Sequence, residues 1–222
     1  RVAMQPSPTT QSVEPRWPVA LTILVVLVLL TVLPDRIRVF PVWLSYLLGL
    51  AIFVAIALVP LTGGKPRSLR FERWVTLLFC LVMGAGMLTG LRHLIFEMFD
   101  PSGDLDGLEL FTSSVAVWVI GILIFALLYW QGDRGGPEAR RRDRRRSPDW
   151  LFPQADLDDS FPPWHPTFVD YLFLAYTTAT AFSPTDVAPI STRAKLMLMA
   201  QSLISLATIL VVVSRAINIL GS

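Results

Sequence analysis

Between residues 177 and 186 the chain gathers Thr177, Thr178, Thr180, Ser183 and Thr185 with the carboxylate of Asp186. Hydroxyl and carboxylate oxygens set in rings around an axis replace part of a cation's hydration shell, and such rings suit weakly selective cation passage. The competing use is local: the same threonines bond to carbonyls of their own short helix and the segment plugs a helical bundle. Catalysis finds little to work with. Cys80 is the single cysteine, and His93 and His165 stand alone. An intrachain disulfide is therefore excluded, and no charge-relay set, nucleophile elbow, phosphate loop or metal-ligand spacing is present. The expectation is no enzyme, no catalytic residue, no metal and no cofactor.

The elements that must position those oxygens are membrane helices. The chain is 53% hydrophobic with a mean hydropathy of +0.56, and its apolar residues form long uncharged runs, the signature of the membrane class. Residues 1–16 are polar and proline-bearing and read as a flexible tail that buries nothing. Apolar runs predict spanning helices at about 17–34, 39–64, 74–91, 110–132 and 193–219, each near the ~20 residues that cross ~30 Å of hydrocarbon. The first run ends in Pro34-Asp35 without a small-x-small pattern and is expected to be an anchor, not a cleaved signal peptide. Gly86 and Gly90 form a G-x-x-x-G pair that would let a neighbouring backbone approach closely.

Residues 133–165 are rich in Arg, Asp and Pro and read as a surface loop, mobile in its first half. Its RRRDRRR run at 140–146 places Arg140, Arg141, Arg142, Arg144, Arg145 and Arg146 where anionic headgroups could be met. No folded module surrounds that run, so nucleic acid is not expected as a partner. With alternating loops, Lys65, Arg67, Arg70, Arg73, Arg134 and the 140–146 run fall on one side, against Arg36, Arg38 and Arg92 on the other. The basic side is the cytoplasmic one, so the chain is expected in a cell (plasma or inner) membrane with its N-terminus and basic loops inside.

Residues 168–182 have the make-up of a helix, with Asp170 near its start, but it is too short to span. Pro184 and Pro189 keep the following segment irregular. Irregular backbone at membrane depth survives only when buried in protein or lining a watery cavity, so 168–191 is expected to be a re-entrant helix and loop. The last third of the chain resembles the pore region of the potassium-channel superfamily: pore helix, filter, return loop with Asp and Pro, and an inner helix opened by Lys195. On that pattern Thr180 falls on the threonine before the filter core, Ala181, Phe182, Ser183, Pro184 and Thr185 on the filter and its edge, Asp186 on the aspartate that follows, and Pro189 on the downstream proline. The phrase TATAFSPTD also resembles the signature of a family of uncharacterised prokaryotic integral membrane proteins, which implies no activity. The filter match lacks glycine, for none occurs between Gly136 and Gly221, and successive carbonyls need glycine to face a pore axis. A standard potassium filter is therefore excluded.

The expectation is an all-α polytopic protein of five spanning helices plus one re-entrant helix: a three-helix region over 17–108 and a channel-like module over 109–222. The pore reading implies a homo-oligomer, a tetramer if channel-like, passing monovalent cations. The alternative is a non-conducting subunit of a membrane complex.

Overall fold

A computed structural model describes residues 15–35, 38, 40–62, 65–99, 107–142, 146–156, 164–181 and 186–221. Seven helices run in chain order: α1 (Trp17–Val32), α2 (Val42–Leu61), α3 (Pro66–Phe99), α4 (Gly107–Gly132), α5 (Pro137–Arg142), α6 (Phe168–Ala181) and α7 (Thr192–Gly221). Two short strands, β1 (Trp150–Leu151) and β2 (Ala188–Pro189), pair antiparallel. Local chemistry sets several ends. Pro18 fits the first turn of α1, where an N–H would be unsatisfied. Leu33, forced toward extended backbone by Pro34, stops that helix. Thr167 caps α6: its N–H and hydroxyl both donate to Asp170 Oδ2, at 2.7 and 2.8 Å.

The central element is α4. It packs against α1, α3, α6 and α7, while α2 lies outside on α1 and α3. Three stretches are long and apolar enough to cross a membrane: Arg67–Phe96, Leu108–Arg140 and Thr192–Ser214. The α4 stretch is 67% buried within the protein, against 39% and 28% for those of α3 and α7, so α3 and α7 leave most of their apolar surface outward. The chain thus has the make-up of a membrane protein, all-α but for one two-residue strand pair.

The expected helices differ in extent from those found. Among the described residues α1 and α2 contribute shorter apolar segments, Trp17–Thr31 and Trp43–Val59, so three of the five expected spans are long and apolar enough to cross a membrane. By contrast α3 extends well beyond 74–91 at both ends, because hydropathy marks the apolar stretch and not where a helix stops; Arg70, Arg73 and Arg92 are good helix formers. Residues 1–14 lie outside the described residues, yet Arg16, expected in the flexible tail, is buried beside Glu72.

One end of the bundle collects the basic segments. Arg16, before α1, bonds Glu72 of α3 at 2.6 Å and Glu138 of α5 at 3.2 Å. Thr62, after α2, bonds Ser68 of α3 at 2.9 Å. Arg193, in the first turn of α7, donates to Gly132 O at the end of α4 at 2.7 Å.

Candidate functional site

The polar network at that end begins where α4 breaks. Arg134 (φ 50°), Gly135 (φ 90°) and Gly136 (φ 105°) turn through the left-handed region, which glycine enters cheaply, and the chain doubles back into α5. Asp133, buried in the turn, accepts from the Tyr171 hydroxyl at 2.6 Å and from the Asp149 N–H at 2.8 Å. Asp149 then gathers the Ser191 hydroxyl at 2.6 Å, Arg193 Nη2 at 2.5 Å and the Arg134 N–H at 3.2 Å. Burial works against its charge, but the Ser191 hydroxyl and the Arg193 guanidinium outweigh it and hold the carboxyl below its ordinary pKa. Ser191 also caps α7, accepting from the Ala194 N–H at 3.1 Å.

Asp149 O accepts from the Ile190 N–H at 2.8 Å, and Trp150 and Leu151 pair with Pro189 and Ala188. The segments before and after α6 are therefore clamped together. Beneath the clamp Tyr129, Trp130, Trp150, Phe152, Phe168 and Tyr171 form an aromatic cluster, with centroids from 4.9 Å (Tyr129 to Trp150) to 6.3 Å (Trp150 to Tyr171). The two tyrosines bury an apolar ring while the hydroxyl reaches a partner, Tyr129 to Gln201 and Tyr171 to Asp133.

From this anchor α6 runs antiparallel to α4. Phe168 meets the Trp130 ring edge-on at 6.0 Å near the end of α4, and Val169, Leu172, Phe173 and Tyr176 flank Trp118, Val119, Ile122 and Leu123 half-way along it. With 14 residues α6 is about 21 Å long, so it stops beside the middle of α4. Gln201 of α7 holds it there: Nε2 donates to Ala175 O at 2.7 Å, and Oε1 accepts from the Tyr129 hydroxyl.

The predicted oxygen donors divide. Thr178 is 0% exposed and donates to Leu174 O at 2.7 Å. Thr177 donates to Phe173 O at 3.0 Å and Thr180 to Tyr176 O at 2.9 Å. Each keeps its oxygen lone pairs, and Thr180, Ala181 and Asp186 are exposed while Thr177 is half-buried. Phe182, Ser183, Pro184 and Thr185 lie outside the described residues.

The other predicted contacts are redistributed. Arg140, expected at the lipid surface, is 7% exposed; its Nη1 donates to Trp130 O at 2.5 Å and its guanidinium lies 4.9 Å from the Tyr171 ring centre. It faces inward because α5 folds the start of the basic run back onto α4. The side chains of Arg141, Arg142, Arg144 and Arg145 fall outside the description, whereas Arg146 is exposed. Gly86 and Gly90 line a small apolar cavity of about 30 Å³ between α1, α3 and α4. A Cβ on Gly86 would meet the Phe40 ring at 3.3 Å, a side chain and not a helix backbone. Tighter approaches occur at Gly49, against Leu27 Cδ1 at 2.5 Å, and Gly121, against Met87 Sδ at 3.0 Å.

No family model, curated protein or solved structure matches the chain. Its function must be argued from this geometry. The sequence reading missed Asp133, Asp149 and Gln201. The one signal available was Gln201, an amide in an apolar run, since such a group in lipid needs a partner on a neighbouring helix.

Proposed function

We propose that the chain is a five-span membrane protein with one re-entrant helix, and that α4, α6 and α7 form the subunit of a symmetric, weakly selective cation pore. The observation that carries this reading is the course of α6. It enters beside the end of α4, stops half-way along it, and returns to the clamp formed by β1, β2 and Asp149. A helix C-terminus at mid-bundle carries partial negative charge, and irregular backbone at that depth is tolerated where it lines a watery cavity. The exposed Thr180 and Asp186 lie on either side of residues 182–185 and would contribute oxygens to such a cavity in an oligomer. The resemblance of 168–191 to potassium-channel pore loops supports the same architecture without a potassium filter.

Five spans are supported by co-extension. Arg16 before α1 sits level with Glu72 of α3, and Leu30 and Leu33 at its other end share a cavity with Gly86 and Gly90. Thus α1 covers the same depth as the apolar part of α3, and α2 returns alongside both. The clustering of Arg16, Arg73, Arg134, Arg146 and Arg193 at one end supports a cytoplasmic placement of that end.

The test is cation flux into proteoliposomes containing the purified chain, with Asp186→Asn and Thr180→Val beside the parent. Flux above protein-free vesicles that changes several-fold in Asp186→Asn supports the pore. Flux that Asp186→Asn leaves unaltered removes Asp186 from the path, and no flux at all refutes the pore. The second reading, a non-conducting subunit of a membrane complex, draws on the threonine hydroxyls spent within α6 and on its fastening through Gln201 and Tyr171. It predicts a partner chain co-purifying in mild detergent.

A further inference from the structure

We infer that the turn between α4 and α5 is a binding site for a phosphate group, held by Arg73 and Arg146 over the bare backbone of Gly135. Arg73 Nη1 donates to Gly135 O. Arg73 Nη1 and Arg146 Nη1 lie 3.5 and 2.9 Å from one point, the position a Cβ on Gly135 would occupy. Glycine is required there by its φ of 90°, and the missing side chain is what lets two guanidiniums converge.

Among the described residues the local carboxylates do not balance this charge. Asp149 is taken by Arg193 and Ser191, Asp133 by Tyr171 and the Asp149 N–H, and Glu72 and Glu138 both bond Arg16. Among the described residues neither Arg73 nor Arg146 has a carboxylate within ion-pair distance. Two guanidiniums this close repel, the half-buried Arg73 against the exposed Arg146, and a bridging anion reverses the sign of that interaction. Phosphate matches the guanidinium fork and accepts from two arginines together. Space for it exists alongside: a pocket of about 260 Å³ opens on Gly135 and Gly136, with Arg16, Arg70 and Arg73 in its lining beside Glu72 and Glu138, the two carboxylates bonded to Arg16. This site does not depend on the pore reading, since it lies at the basic end of the bundle and uses no residue of 177–186.

The ligand chemistry is a phosphate ester or free phosphate, and the experiment separates the two. The full chain in detergent is titrated with a short-chain phosphatidylglycerol and, separately, with inorganic phosphate, following thermal stabilisation and intrinsic Trp fluorescence. Arg146→Gln, whose side chain is exposed and holds no hydrogen bond among the described residues, tests the site without disturbing the fold. Arg73→Gln is the second variant, and Arg92→Gln at the other end of α3 is the control. Binding about tenfold weaker in Arg146→Gln, from loss of one charge-assisted contact, with Arg92→Gln unchanged, supports the site. Competition by millimolar phosphate then assigns a soluble phosphate, and its absence a lipid headgroup. Equal binding of both probes by the parent, Arg73→Gln and Arg146→Gln overturns the inference, as does a parent that binds neither.

Discussion

The fastening of α6 to the bundle through Gln201 makes a quantitative prediction. Gln201 is 1% exposed and bridges two elements, accepting from Tyr129 on α4 and donating to Ala175 O on α6. Gln201→Leu keeps the volume but strands the Tyr129 hydroxyl, also buried, at a cost of about 1–3 kcal/mol for an unsatisfied buried donor. The Ala175 carbonyl loses less, because it lies inside α6 and its helical bond remains. Tyr129→Phe makes the mirror change, leaving Gln201 Oε1 without a donor at a similar cost. Tyr129→Phe with Gln201→Leu leaves neither group stranded, so its cost should fall below the sum of the single changes by about 0.6–1.7 kcal/mol, the range of interhelical bonds in membrane proteins. The assay is reversible unfolding in mixed micelles, comparing parent, both single variants and the double. A Gln201→Leu cost near zero, or strict additivity, would refute the bridge.

The pH response of the clamp has a definite sign. Asp149 is held below its ordinary pKa of 3.8, so it adds stability that is present above that value and lost as pH falls through its folded pKa; Asp149→Asn should flatten the drop in melting temperature below about pH 4. Gly135→Ala should destabilise by about 1–2 kcal/mol, since its φ of 90° is left-handed and a Cβ would stand 2.9 Å from Arg146 Nη1; chemical unfolding measures it. Gly49→Ala should loosen the contact of α2 with α1, where Leu27 Cδ1 lies 2.5 Å from the new methyl, by about 1–3 kcal/mol. Little change in melting temperature there would mean that Leu27 swings clear without loss.

Much of the architecture is legible in the sequence. Apolar runs announce their helices because lipid tolerates few unpaired polar groups, and α4 and α6 appear within a few residues of their expected limits. Helix ends are less legible. In α3 the turns carrying Arg70, Arg73 and Arg92 continue a helix that hydropathy cuts short. The oxygen-bearing stretch was readable as a type, since Thr177, Thr178 and Thr180 are neighbours in the chain, but which face inward was not. Burial of Thr178 and exposure of Thr180 depend on how α6 rotates against α4 and α7.

By itself the sequence determined the membrane class, the apolar segments and the short helix found at Phe168–Ala181. All of these follow from local composition. Only the tertiary structure decided that Arg16 belongs to a buried ion pair, that Arg140 turns inward over Tyr171, and that β1 and β2 clasp the segments around α6. It also brought Asp133, Asp149, Ser191 and Arg193 into one network. These partners are separated by 16 to 44 residues. A hydrogen bond over that distance depends on where other helices place its two ends, and no local pattern encodes it.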